Sequence, residues 1–217
     1  MGVFKNKEQN IVRKPSDATV MDALVKGNII TKLSFIICGL GNILNKQIVK
    51  GLSFLALEVA YIYYMINNGL TAIQNFITLG VNEQGEVYNE QLGIYEYVAG
   101  DNSMLCLLYG VITFFLTAAF IFLMASAAKS AYGIQWRKEH NMPIPKLKDD
   151  IYSLRQGNLH KLMLAFPIIG VLVFTIIPLV YMILMAFTSY DHEHQPPGNL
   201  FDWVGLDNFT ALFAQGG

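Results

Sequence analysis

Three stretches of the chain stay apolar long enough to cross a bilayer, and polar segments separate them. The first, Gly51–Ile66 (GLSFLALEVAYIYYMI), has sixteen residues and one carboxylate, Glu58. The second, Met104–Ala128, carries no charge, and the third, Leu162–Phe187, holds two prolines, Pro167 and Pro178. At ~1.5 Å per residue the third reaches about 39 Å, against about 30 Å of hydrocarbon. A fourth stretch, Ile29–Leu44, is interrupted by Lys32 and by Gly39, Gly41 and Asn42. Its apolar positions Val25, Ile29, Leu33, Ile36, Ile37 and Leu40 recur at helical spacing, which predicts one helix lying in the membrane interface, with Lys32 inside the apolar sector. Residues 67–103 contain Gly69, Gly80, Gly85, Gly93 and Gly100 and read as a small excursion between spans. Residues 129–161, with Pro143 and Pro145, read as an extended connector.

The distribution of charge turns these spans into a topology. All 15 Lys and Arg residues fall before Gly51 or between the second and third spans. Residues 67–103 and the segment after Phe187 contain only acids, among them Glu83, Glu86, Glu90, Glu96, Asp101, Asp191 and Asp207. The positive-inside rule then predicts a cytoplasmic N-terminus, three crossings and an outside C-terminus. Had Ile29–Leu44 crossed as well, Lys5 through Lys26 would lie outside, against the pattern. The expected fold is therefore an all-α integral membrane protein with three transmembrane helices and an amino-terminal interfacial helix. Its expected parts are a cytoplasmic segment (1–50), a two-span extension (51–128), a cytoplasmic connector (129–161) and a third-span region (162–217).

Composition agrees with this reading and narrows the chemistry. The chain is 53% hydrophobic and 14% charged, whereas ordinary soluble domains carry about 25% charged residues. A net charge of −1 gives no sign of nucleic-acid binding. Lysines and arginines near the start adjoin no apolar core or cleavage site, so no signal peptide is predicted. Met1-Gly2 is followed by Asn6 where a myristoylation signal has Ser or Thr. Cys38 and Cys106 lie far apart in apolar surroundings and read as small buried hydrophobes. No phosphate-binding loop, nucleophile elbow or usefully spaced carboxylate pair is present, so the chain is not expected to be an enzyme, and no cofactor or metal is expected.

Three residues stand out as pathway or structural candidates. Glu58 is the ionisable side chain inside an expected span, and an acid at that depth marks either a pathway or a polar partner. Pro178 lies deep in the third span, removes a backbone hydrogen bond and should bend the helix near Ile177. Pro167 would be tolerated cheaply if it fell in the first helical turn. Asp191-His192-Glu193-His194 has metal-binding residue types but adjoins Gln195-Pro196-Pro197-Gly198, which reads as a solvated loop. Gly39-Leu40-Gly41 lacks the third glycine of a dinucleotide fingerprint and reads as a break before the first span. Asn208-Phe209-Thr210 fits the glycosylation triplet without establishing a secretory host.

The third span and the segment beyond it carry a resemblance. Phe166-Pro167-x-x-Gly170, Phe174-x-x-x-Pro178-Leu179, Ala186-Phe187-Thr188 and Phe201-x-x-Val204-Gly205-Leu206-Asp207-Asn208-Phe209 together resemble the sugar permeases of binding-protein-dependent ABC importers, the maltose/maltodextrin family. Gly39–Gly51 is similar to the amino-terminal extension of Gram-positive members. The resemblance implies a multi-pass subunit in a bacterial cell membrane, partnered by a second permease subunit, ATP-binding cassette ATPase subunits and an extracytoplasmic sugar-binding protein. The family's cytoplasmic Glu-Ala-Ala coupling motif does not occur in residues 1–217, so the chain is expected to be the amino-terminal part of such a permease. A three-span membrane scaffold without transport activity is the alternative.

Overall fold

The computed structural model describes residues 19–146, 148–149, 151–152 and 159–215. Among them, three helices are long and apolar enough to cross a membrane: Ile48–Thr78, Ser103–Glu139 and Met163–Met185. None of the most apolar window of the third is buried, so its Phe166, Phe174 and Met182 face outward and require a non-aqueous neighbour.

The first span runs twelve residues beyond the expected Ile66. Asn67, Asn68 and Gly69 suggest a loop, but they sit in a widened π turn, Met65–Gly69, and helix resumes over Leu70–Thr78. The excursion therefore begins at Leu79, whose φ of 55° closes the helix. The second span continues past Ala128 to Glu139 because residues 129–139 keep helix-compatible side chains and end in Arg137 and Lys138, cations placed at the negative end of the helix dipole.

The single interfacial helix expected over Ile29–Leu44 does not form. Two short helices take its place, Ile29–Leu33 and Leu40–Leu44, preceded by Val20–Val25. Thr19 and Asp22 close a capping box at the start of Val20–Val25, and Asn28 caps Ile29–Leu33 by accepting the Thr31 N–H at 2.8 Å. The break is local chemistry. Ser34 Oγ donates to the Ile30 carbonyl at 2.9 Å and accepts the Gly41 N–H at 2.9 Å, drawing the backbone into turns. Gly39, at φ +83°, then takes a left-handed conformation that opens the next helix.

By contacts the chain forms two units, one of Met1–Tyr64 with Thr117–Pro167 and the other of Met65–Leu116 with Ile168–Gly217. In the first, Gly41 packs on Ala131 and Gly39 on Gly51, where no side chain would fit. In the second, fully buried Leu79, Leu107 and Phe201 form a core, with Phe76, Met104, Met185 and Trp203 around it. This unit also holds an element outside the all-helical expectation, an antiparallel hairpin of β1 (Gly85–Asn89) and β2 (Ile94–Val98). Its Tyr88 and Tyr95 rings pair across the strands with centroids 5.1 Å apart. Asp101 fastens the approach to the hairpin: its carboxylate accepts the N–H groups of Val81 at 2.9 Å and Asn82 at 3.0 Å.

These geometries make two predictions. At Gly39 an added Cβ would stand 2.9 Å from Gly51 Cα on a left-handed backbone. Gly39→Ala should therefore cost about 2 kcal/mol or more and lower the Tm in detergent by several degrees. Gly133→Ala, in a helix with open space around its Cβ, should leave the Tm unchanged or raise it. The second concerns pH. The two amide donors hold the Asp101 carboxyl below its ordinary value, so its contribution is present above the unfolded value of about 3.9 and lost as pH falls through the lower folded value. Amide proton shifts of Val81 and Asn82, followed by NMR in micelles, should titrate below pH ~3.9. Asp101→Asn should abolish that step.

Candidate functional site

The sequence singles out Glu58 as the ionisable group at membrane depth, and the structure gives it a partner. Glu58 is 7% exposed, and its Oε2 accepts the backbone N–H of Cys38 at 2.8 Å. Cys38 lies in the turns between Ile29–Leu33 and Leu40–Leu44, where the helical hydrogen-bond ladder is broken. A buried N–H without an acceptor costs about 1–3 kcal/mol. Glu58 supplies that acceptor from the middle of the first span, so the broken segment can sit against a helix in apolar surroundings.

Side chains that sequence reasoning did not single out complete the attachment. Gln135, on the second long helix, accepts the Asn28 N–H and the Thr31 hydroxyl with Oε1, both at 2.8 Å. Its Nε2 donates to the Lys26 carbonyl at 3.3 Å and to Glu139 at 2.8 Å. Asn42, fully buried, donates through Nδ2 to Gln47 Oε1 at 2.8 Å and Ser130 Oγ at 2.9 Å, while its Oδ1 has no partner among the described residues. Gln47 in turn donates to the Pro145 carbonyl at 2.7 Å, holding the Pro143–Pro145 stretch. Polar side chains at single positions on apolar helices were the available signal. Tyr61 adds an aromatic tie to the second helix, its ring 4.0 Å from that of Phe120 and its hydroxyl 3.0 Å from Thr117.

The two prolines occupy different settings. Pro178 follows a π turn, Leu172–Ile176, whose closing bond runs from the Ile177 N–H to the Leu172 carbonyl. The irregularity thus lies in the turn before the proline: widening relieves the clash of its ring with the carbonyl four residues back. Pro167 is not in a first turn. Its helix begins at Leu159, which makes Pro167 an interior residue that forfeits one ladder bond. Glu58 and Pro167 fall in one unit and Pro178 in the other, and each is accounted for by its own surroundings.

The segment after the third span folds back as a clasp. Asn208 Nδ2 donates to the carbonyls of Ala186 at 3.0 Å and Thr188 at 2.8 Å. Trp203 Nε1 donates to the Phe76 carbonyl at 3.1 Å, and Phe209 packs on Phe187 with ring centroids 5.3 Å apart. Gly205, at φ +61°, makes the turn into the closing helix Asp207–Gln215. In the preceding loop, His194 Nδ1 lies 2.8 Å from Asp191 Oδ1, a partner that holds the Asp191 carboxyl below its usual range. Among the described residues no group of three His, Cys, Asp or Glu is placed to hold a metal. Cys38 and Cys106 are buried free thiols.

Comparison with known proteins bears on this arrangement. The maltodextrin transport system permease protein MalC of Streptococcus pneumoniae is 31% identical over 180 residues, 82% of this chain and 38% of MalC. The galactooligosaccharides transport system permease protein GanP of Bacillus subtilis is 29% identical over 183 residues, 82% of this chain and 39% of GanP. The chain is thus similar in sequence to permeases of sugar transport systems. A third relative, the maltodextrin permease MdxF of Bacillus subtilis, is 28% identical over 182 residues, 83% of this chain and 38% of MdxF. The chain spans under two-fifths of the length of these relatives. No family model and no solved structure matches it. The three helices long and apolar enough to cross a membrane are in keeping with the similarity to these permeases.

The Glu58 arrangement predicts a specific pattern of variants. Glu58→Gln keeps a carbonyl acceptor for the Cys38 N–H and should leave thermal stability within ~0.5 kcal/mol of wild type, while Glu58→Ala should cost about 1–3 kcal/mol. Thermal unfolding of the detergent-solubilised protein measures both. A Glu58→Ala protein as stable as wild type would overturn this structural role.

Proposed function

We propose that this chain belongs to a permease subunit that passes oligosaccharides of the maltodextrin kind across the cell membrane of a Gram-positive bacterium. In this reading an extracytoplasmic sugar-binding protein delivers the substrate, a second permease subunit completes the path, and separate ATPase subunits drive the cycle. The observation that carries it is the 31% identity to a maltodextrin permease over 82% of the chain. Galactooligosaccharides are the neighbouring substrate class, named by the second relative.

The residues fit parts of that task. Residues 1–50 and the connector 129–161 carry all the Lys and Arg and are assigned to the cytoplasm, with the hairpin and the clasp outside. The clasp from Phe201 to Phe209 would sit at the extracytoplasmic mouth, on the side where a binding protein docks. Its bonds to the end of the third span give that mouth a fixed shape. Pro178 and its π turn would let the third span pack around the transport core, where neighbouring helices satisfy the freed carbonyl. Glu58 is read as structural. No residue here is assigned to the ATPase contact.

Two measurements test the proposal together. Deleting the gene should reduce uptake of labelled maltodextrin to background, and the intact gene should restore it; undiminished uptake of both maltodextrin and galactooligosaccharide would favour the scaffold reading. In a Cys38→Ser, Cys106→Ser background, Glu90→Cys should react with a membrane-impermeant maleimide in intact cells. Lys138→Cys should react only after lysis, and the reverse order would overturn the orientation.

A further inference from the structure

We propose that the chain holds an anionic phospholipid at the start of its first span, with the lipid phosphate in a basic cavity and the acyl chains along the helix below it. The cavity has a volume of about 390 Å³, and Lys46, Lys50 and Lys146 line it. That is a size at which small-molecule sites are found. Among the described residues no carboxylate lines it. Asp149, three residues beyond Lys146, accepts the Lys146 backbone N–H at 2.8 Å.

Two features show that the lysines are brought together by the fold. Lys146 follows Pro145, whose carbonyl receives the Gln47 amide at 2.7 Å, so the connector is pinned beside the residues that open the span. Lys46 has φ 65°, a left-handed conformation. It ends the Leu40–Leu44 helix in the manner glycine usually does, with the Gln47 N–H returning to the Asn42 carbonyl at 2.9 Å. Glycine would make that turn at lower cost, and the side chain it would lack is the charge on the cavity wall.

The occupant is indicated by the surroundings of the charge. The cavity sits where the Ile48–Thr78 span begins, so the positive end of that helix adds to the charges of Lys46 and Lys146. On the same helix Ile48, Val49 and Leu52 are each more than half exposed. A phosphodiester carrying acyl chains satisfies the basic cavity and the apolar surface at once. A free phosphate satisfies only the first. Basic pockets beside membrane helices take anionic headgroups for this reason.

The test is native mass spectrometry of the full-length protein in detergent, offered phosphatidylglycerol, phosphatidylcholine or inorganic phosphate. Phosphatidylglycerol should be retained and phosphatidylcholine should not. Lys46→Gln should weaken retention about fivefold, and the double variant Lys46→Gln, Lys146→Gln about twenty-five-fold. Lys46→Gly separates binding from folding: it relieves the left-handed strain, so its Tm should equal or exceed that of wild type while lipid retention still falls about fivefold. Equal retention of the two lipids, or undiminished binding in a folded Lys46→Gly, would overturn the proposal. So would displacement of the lipid by inorganic phosphate, which would make this a soluble-anion site.

Discussion

A backbone N–H or carbonyl placed in apolar surroundings has no water to turn to, and most of the specific contacts in this chain answer that constraint. The amino-terminal segment shows it most directly. Breaking a helix at Ser34–Gly39 frees several backbone groups, and a chain that laid such a break against a bare apolar helix would be unstable. Here Ser34 and Glu58 each supply a bond to the break, and Gln135 and Asn42 fix the short helices on either side of it. The carboxylate of Glu58 is thus an acceptor set where the ladder is missing one. An acid is costly at that depth, but each unsatisfied amide it prevents is costly too.

The same constraint explains how the long helices tolerate residues that would break them in water. Asn67 and Asn68 lie within a π turn of the first span, and Pro178 follows one in the third. In both cases the chain shifts its bonding pattern for one turn and keeps its ladder. A loop at either place would expose a run of peptide groups to the hydrocarbon. A π turn concentrates the disturbance in a few residues, and these are places where an adjoining helix can contribute a polar side chain.

How much of the fold is legible in the sequence depends on the range of the interaction. The spans are legible because apolar length is a one-dimensional property, and so is the alternation of basic and acidic segments. The hairpin is legible in principle: Glu86-Val87-Tyr88 and Ile94-Tyr95-Glu96-Tyr97-Val98 are rich in strand-forming residues around an Asn89–Gly93 turn, a signal the five glycines of the segment obscure. The single interfacial helix fails because helical spacing of apolar residues does not report that Gly39 will adopt φ +83° or that Ser34 will bond Gly41. Glu58 is visible as an anomaly, but its partner, a backbone amide twenty residues away, leaves no mark in sequence. Gln135 and Asn42 are harder still. Lone amides on long helices are common, and only the docked segments give these two a role.

The clasp after the third span turns residue types that often bind ligands to a structural use. Trp203, Asn208 and Phe209 are residue types suited to sugars, since aromatic faces stack on pyranose rings and amides bond hydroxyls. In this fold their donors are already spent. Asn208 Nδ2 has two hydrogens, and the Ala186 and Thr188 carbonyls use both; the one indole N–H of Trp203 goes to Phe76. Phe209 rests on Phe187. For any of these to bind a hydroxyl, a carbonyl at the end of a helix would have to give up its partner, and the exchange would gain little. The segment therefore spends its polar groups on holding the end of the third span, and residue type alone does not make Trp203, Asn208 or Phe209 a ligand group.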